Sequence, residues 1–271
     1  MTLPSTLPEP PEHLKQIIFG CLLGDGSINR KTINGIDYNS SFSESHSVLF
    51  EEYIKYLIGE FGEYFKKRHN RKSHKCIIRD KIANFKPTIL IRTIAHPYFT
   101  SLRKKWYIER KEKRALKIIP SDLTLTPLSV AQWYAGDGSL LGHRQIMFCT
   151  DGFVYEDVQK LSNKIYDSLK IESYVKPSST KQPQLFIRQF HNEKFIDIIK
   201  PYFTWQCFQH KISLRLSEFH KNRTWMFKSP QGIKYETKSL SEFCKKHSLN
   251  VSKMSNVYCG SRKHHRKWTK T

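Results

Sequence analysis

IFGCLLGDG (Ile18 to Gly26) and VAQWYAGDG (Val130 to Gly138) are two apolar, small-residue runs that each end in Gly-Asp-Gly. Both have the composition of a buried helix. In the first, Gly20 and Gly24 stand four residues apart and share a helical face; in the second, Ala131 and Ala135 do so, with Gly136 close to the end. Small residues let two helix backbones approach. Packed side by side across a pseudo-twofold axis, the helices bring Asp25 and Asp137 together at their C-terminal ends. Two adjacent carboxylates repel unless a cation lies between them. A hard divalent ion meets that need, because it takes oxygen ligands and also binds phosphates. A single Gly-Asp-Gly after a helix is an ordinary turn whose Asp bonds its own backbone. Two copies in one chain point instead to a site for phosphodiester hydrolysis.

Other stretches echo each other in the same order. AHPYFT (Ala95 to Thr100) returns as KPYFT (Lys200 to Thr204), and KCIIRD (Lys75 to Asp80) resembles LFIRQF (Leu185 to Phe190), matching Ile78-Arg79 to Ile187-Arg188. EEYIKYLIGEF has the rhythm of YEDVQKLSNKIYDSL. An ordered series implies an internal duplication and hence pseudo-twofold symmetry. Each half reads as helix, two strands, helix, two strands, helix. In the first, Glu12 to Leu23 is a buried helix, with strands near Ser27 to Ile33 and Tyr38 to Ser43. Phe50 to Phe61 has helical spacing. A basic turn (Lys66 to Lys75), a strand around Ile77 and a helix from about Asn84 to Ala95 complete it. The second half repeats this from Thr126, a cap for a helix with Pro127 in its first turn. The fold class is therefore α+β, with one half over residues 1–119, a second over 120–229 and a tail over 230–271.

The 271 residues carry 46 Lys and Arg against 24 Asp and Glu, a formal net charge of +22. That excess attracts a polyanion. Six scattered cysteines without metal-ligand spacing imply free thiols and an intracellular setting, the cytoplasm or an organelle matrix. No apolar run reaches membrane-spanning length, so no membrane partner is expected. From Pro230 the chain holds 10 Lys or Arg and two acids. Lys238 to Leu249, capped at Ser239, and Val251 to Gly260 can form two short helices, ahead of the basic RKHHRKW. They suggest a small helix-turn-helix module.

The paired runs resemble the signature helices of the LAGLIDADG homing endonucleases in their single-chain, two-repeat form. The likeness covers about residues 12 to 215. The second copy departs at Gln132, where a small residue is typical. The resemblance implies an αββαββα fold in each half, with saddle-shaped antiparallel sheets on the major groove of double-stranded DNA. It implies Mg²⁺-dependent cutting of both strands of a long target with four-nucleotide 3′ overhangs, serving intron homing. It also implies that Mn²⁺ substitutes and that Ca²⁺ binds without efficient cleavage. Asp25 and Asp137, with the carbonyls of Gly24 and Gly136, are the expected metal ligands, and Lys117 and Lys211 the expected basic residues at the scissile phosphates. Strand alternation groups Ser27, Asn29 and Lys31 on one face for base reading. Arg144, Lys181, Gln184 and Arg188 are the candidates in the second half, with Arg79 placed as the equivalent of Arg188. The tail resembles small DNA-binding modules appended to nucleases, through Lys238 to Phe243 and Gly260 to Lys263, and Arg262 and Lys263 are its expected DNA contacts. With both halves in one chain, a monomer on DNA is expected. Two other functions fit the scaffold: an RNA maturase assisting a group I intron, which makes intron RNA a second partner, and a non-catalytic DNA-binding regulator. Retention of Asp in both halves argues against a protein that only folds RNA.

Overall fold

The computed structural model describes residues 7–78, 81–110, 114–177, 182–214, 224–258, 260 and 262–271, with backbone alone over 74–85. These form two compact units, Met1–Leu214 and Arg215–Thr271. Among the described residues no helix is long and apolar enough to cross a membrane.

The first unit opens with α1 (Glu12–Leu23), β1 (Ser27–Ile33), β2 (Ile36–Ser47) and α2 (Glu51–Phe61). β3 (Phe65–Arg71), a hairpin of β4 (His74–Ile78) and β5 (Lys81–Phe85), β6 (Thr88–Thr93) and α3 (Pro97–Trp106) follow. A two-residue ladder, β7 (Tyr107–Ile108) with β8 (Leu116–Lys117), leads to the second half. There the order is α4 (Pro127–Asp137), β9 (Gly138–Leu141), β10 (Gln145–Cys149), α5 (Tyr155–Leu169), β11 (Ser173–Pro177), β12 (Pro183–Ile187) and α6 (Asn192–Ile199). The two four-stranded sheets have the orders β1-β2-β6-β3 and β9-β10-β12-β11. With the β4–β5 hairpin set aside these are the same antiparallel topology, so the chain is α+β with a duplicated αββαββα plan.

Sequence alternation explains the sheets. In β2, Phe42 faces inward and Ser41 and Ser43 outward; in β12, Leu185 and Ile187 face inward, while Gln184 and, just past the strand end, Arg188 face outward. The inward side chains, α1 and α4 share one core that includes Ile18, Leu22, Trp133 and Tyr134. α4 starts as its sequence dictates: the Thr126 hydroxyl accepts from Ser129 N, the Ser129 side chain accepts from Thr126 N, and Pro127 occupies the first turn.

Three readings of the repeat need correction. The helix expected over Asn84 to Ala95 is replaced by strands β5 and β6. Pro87 and the β-branched Thr88, Ile89, Ile91 and Thr93 favour a strand, and the helix begins only at Pro97, where His96 Nδ1 accepts from Tyr98 N. The place of β12 is taken by β6, whereas Ile77 and Ile78 belong to the inserted hairpin. Arg79, named as the equivalent of Arg188, lies outside the described residues. PYFT opens α3 in the first half but follows α6 in the second, so that echo joins unlike places. In addition, the basic run from Lys66 is mostly the edge strand β3 rather than a turn.

The second unit is more than two helices. Strands β13 (Trp225–Lys228), β14 (Lys234–Thr237) and β15 (Thr269–Lys270) form an antiparallel sheet in the order β14-β13-β15. Helices Leu240–Lys246 and Val251–Tyr258 pack with it, and Ser239 caps the first by accepting from Glu242 N. Trp225, Phe227, Leu240, Phe243, Cys244, Met254 and Trp268 make its core. The boundary expected at Pro230 thus falls in the turn of the β13–β14 hairpin. The unit starts earlier because Trp225 and Phe227 supply its core.

Candidate active site

α1 and α4 meet at Gly20. A Cβ there would lie 2.3 Å from Ser129 O and 2.5 Å from Gln132 Cβ, a backbone approach only glycine permits. Gln132 fits this contact by turning its amide away: Oε1 accepts from Tyr53 Oη at 3.0 Å, and Nε2 donates to Tyr56 Oη at 3.1 Å. The departure from a small residue thereby ties α4 to α2 of the other half.

The contact delivers both acids to one place. A Cβ on Gly24 would stand 3.7 Å from Asp137 Cγ, and one on Gly136 3.8 Å from Asp25 Oδ2. Each carboxylate thus lies against the opposite helix's glycine. Burial, reinforced by the Asp25 charge, pushes the Asp137 pKa up to about 7. Burial also raises Asp25, against the opposing pull of His46.

Two ammonium groups close the site. Lys117 Nζ donates to Leu22 O (2.8 Å), Gly24 O (3.2 Å) and Gly26 O (2.9 Å). Lys211 Nζ donates to Ala135 O (2.7 Å), Gly136 O (3.2 Å) and Tyr134 O (3.5 Å). Cations suit helix C-termini, where the last carbonyls lack intrahelical partners. Burial pulls both lysines down to about 8, against the attraction of the two aspartates. The glycine carbonyls expected as metal ligands are therefore shared with ammonium groups.

The donors suit a hard cation: two carboxylates whose charge, partly desolvated and mutually repelling, a positive ion relieves. Among the described residues no set of three or more His, Cys, Asp and Glu is gathered for a metal ion. An ion held by Asp25 and Asp137 draws its remaining ligands from carbonyls, water or a bound phosphate.

One pair near Asp25 escaped the sequence reading. Glu44 and His46, both buried, project inward from β2 with Phe42. His46 Nε2 lies 2.6 Å from Glu44 Oε1, and its Nδ1 3.5 Å from Asp25 Oδ2. Burial opposes charge on His46, but Glu44 and Asp25 outweigh it and raise its pKa. The available signal was Ser-Glu-Ser-His (Ser43 to His46), where ionisable residues occupy the inward positions of a strand.

The expected base-reading residues are placed unevenly. Ser27 and Asn29 share the outward face of the first sheet, where Asn29 Nδ2 donates to Ser43 Oγ at 2.7 Å and Ser27 Oγ lies 3.2 Å from it. A register shift falls between Asn29 and Lys31, with the extra residue on β2, so Lys31 keeps the alternation of β1. Lys31 pairs with Tyr38, its ammonium 5.2 Å from the ring centroid. Gln184 and Arg188 share the outward face of the second sheet with Tyr174 and Lys176, which sequence reasoning missed. Arg188 stacks on Tyr174 at 4.8 Å. Arg144 is exposed in the β9–β10 turn, Arg262 and Lys263 are exposed in the second unit, and Lys181 lies outside the described residues.

The profile of the LAGLIDADG DNA endonuclease family matches residues 15–196. An uncharacterised protein of Methanocaldococcus jannaschii, MJ1098, is 27% identical over 205 residues, 73% of this chain and 72% of that protein. The cytochrome b mRNA maturase bI2 of Saccharomyces cerevisiae is 26% identical over 202 residues, 70% of this chain but only 45% of the yeast protein. Among solved structures, the homing endonuclease I-WcaI bound to its DNA recognition sequence superposes with a TM-score of 0.62 at 19% identity, covering 78% of this chain and 90% of that one. At that identity the likeness is one of fold.

Proposed function

Because this chain belongs to the LAGLIDADG DNA endonuclease family, we propose that it cuts both strands of a double-stranded DNA target by metal-dependent hydrolysis, with Asp25 and Asp137 holding the ion or ions. The observation that carries the reading is the reciprocal placement of the two acids, each against the other helix's glycine and each beside a lysine. A divalent ion there, Mg²⁺ in the first instance, supplies Lewis-acid stabilisation of a phosphate and a more acidic water. Lys117 and Lys211, anchored at the helix ends, place positive charge where a phosphorane-like transition state gains negative charge. Their lowered pKa values, about 8, also let them exchange protons with water or a leaving oxygen near neutral pH. The outward sheet faces, with Ser27, Asn29, Gln184 and Arg188, read bases, while Arg144, Arg262 and Lys263 hold phosphates. Four-nucleotide 3′ overhangs and a role in intron homing complete the reading.

The test uses a target selected from a randomised plasmid library. Asp25→Asn and Asp137→Asn keep size and some hydrogen bonding but lose the charge that holds the ion. Each single variant is expected to bind the target in Ca²⁺ as tightly as the parent and to lose double-strand cleavage in Mg²⁺. Parental cutting by both variants would remove the paired aspartates from the mechanism. A maturase role is the second reading, motivated by the likeness to the yeast maturase. A splicing assay of the host intron RNA with the two Asn variants separates the roles, because folding RNA needs no paired acids.

A further inference from the structure

The two reaction centres are not alike. Ser27 and Ser139 each follow a Gly-Asp-Gly, and the ladders pair Ser27 with Ser43 and Ser139 with Met147. Moving along both hairpins from those pairs, the counterpart of Glu44 is Phe148 and that of His46 is Thr150. Phe148 is wholly buried apolar surface, and the Thr150 hydroxyl donates to Pro183 O at 2.6 Å, away from Asp137. The first half therefore buries a carboxylate and an imidazole beneath its acid, and the second half buries a phenyl ring.

Burying such a pair is costly unless its polar groups are hydrogen-bonded. Glu44 Oε1 is met by His46, whereas Oε2 has no N–H or O–H donor and Glu44 has only the Cys21 thiol besides. The geometry of the pair is that of an orienting device. Glu44 Oε1 fixes the ring through Nε2 at 2.6 Å, and edge-to-face packing on Tyr53, 5.1 Å between centroids, limits its rotation. The remaining nitrogen then stands 3.5 Å from Asp25 Oδ2, within ion-pair reach. No comparable side chain aims at Asp137 among the described residues.

We propose that His46, anchored by Glu44, is a positioning residue that holds the Asp25 carboxylate in one orientation, and that the lack of a counterpart beside Asp137 makes the two strands of the duplex react at different rates. The inference rests on the nuclease reading above. A carboxylate held in place is organised before the ion and phosphate arrive, whereas Asp137 must be ordered by them. The strand served by the Asp25 centre is cut first, and a duplex nicked in that strand accumulates.

The experiment labels the two strands of the selected target with different dyes and follows both under single-turnover conditions in Mg²⁺. The parent is expected to cut one strand several-fold faster. His46→Ala should slow that strand by about tenfold, the scale of losing a partner behind a metal-binding group, and leave the other within about twofold. Glu44→Gln keeps the shape and an oxygen for His46 Nε2, so it should slow the same strand less; being isosteric, it also answers whether His46→Ala acts through misfolding. Calorimetric Ca²⁺ titration of the DNA complex gives a readout independent of turnover, in which His46→Ala weakens one binding step and spares the other. A parent that cuts neither strand defeats the nuclease reading. A parent that cuts both strands at one rate, or variants that slow both strands or weaken both Ca²⁺ steps alike, defeats the inference and leaves that reading standing.

Discussion

A half-buried acid with a pKa near 7 ties stability to function at one residue. In the unfolded chain Asp titrates near 4, whereas Asp137 in the folded chain does so at about 7. Between those values the folded state keeps a proton that the unfolded state has lost. Folding is therefore favoured at low pH, and that contribution is lost as pH rises from about 4 to about 7. Asp137→Asn removes the charge that opposes folding above that window. It should stabilise the protein at pH 8 by about 1–2 kcal/mol, less than the full shift because water screens part of the carboxyl. Thermal unfolding at pH 5 and pH 8 checks this: the gain should shrink at the lower value. The same proton competes with a divalent ion, so Mg²⁺-dependent cleavage should fall as pH drops below about 7. That Asp25, Asp137, Lys117 and Lys211 come together was legible in the sequence, because a duplicated motif marks its own acids and the family pattern marks its lysines. Glu44 and His46 were not read, because the strand expected over Tyr38 to Ser43 stops short of them, whereas β2 runs on to Ser47 and its alternation from Phe42 turns both inward.

At the scale of elements, the α1–α4 contact sets the distance between the acids. Gly20→Ala forces a methyl against the Ser129 carbonyl, which a backbone cannot yield cheaply. A loss of about 1–3 kcal/mol is expected in urea unfolding, the usual range for an overpacked core. Gln132→Leu keeps the volume but strips partners from the Tyr53 and Tyr56 hydroxyls. Tyr53 is wholly buried, and a similar loss of about 1–3 kcal/mol should follow. The signature helices and α2 could be read from their apolar spacing. β6 could not: Thr-Ile-Leu-Ile-Arg-Thr is too short for apolar periodicity to separate strand from helix, and pairing with β2 and β3 decides it. The β4–β5 insertion hid the true correspondence of strands for the same reason. Short echoes in sequence survive by chance where sheet order does not.

Across the whole molecule, positive charge is shared unequally. Residues 1–119 hold 22 Lys and Arg against 12 acids, residues 120–214 hold 10 against 9, and residues 215–271 hold 14 against 3. Phosphate binding should therefore rest on the first half and the C-terminal unit. Changing Lys245, Lys246, Arg262 and Lys263 to Gln should flatten the dependence of log affinity on log salt by about 0.9 for each phosphate left without its cation. The same number of changes among Lys160, Lys164, Lys194 and Lys200 should alter it little. Filter binding between low and moderate salt distinguishes them. Light scattering of the complex should give one protein per target, since both acids come from one chain. The helix contact also fixes which partner each half can accept. Gly20 is a socket and Gln132 the plug that fits beside it. Two first halves would set socket against socket and leave Tyr53 without its glutamine; two second halves would set plug against plug where no room exists. After duplication, the halves have become lock and key, and a return to a dimer of identical subunits is closed to both.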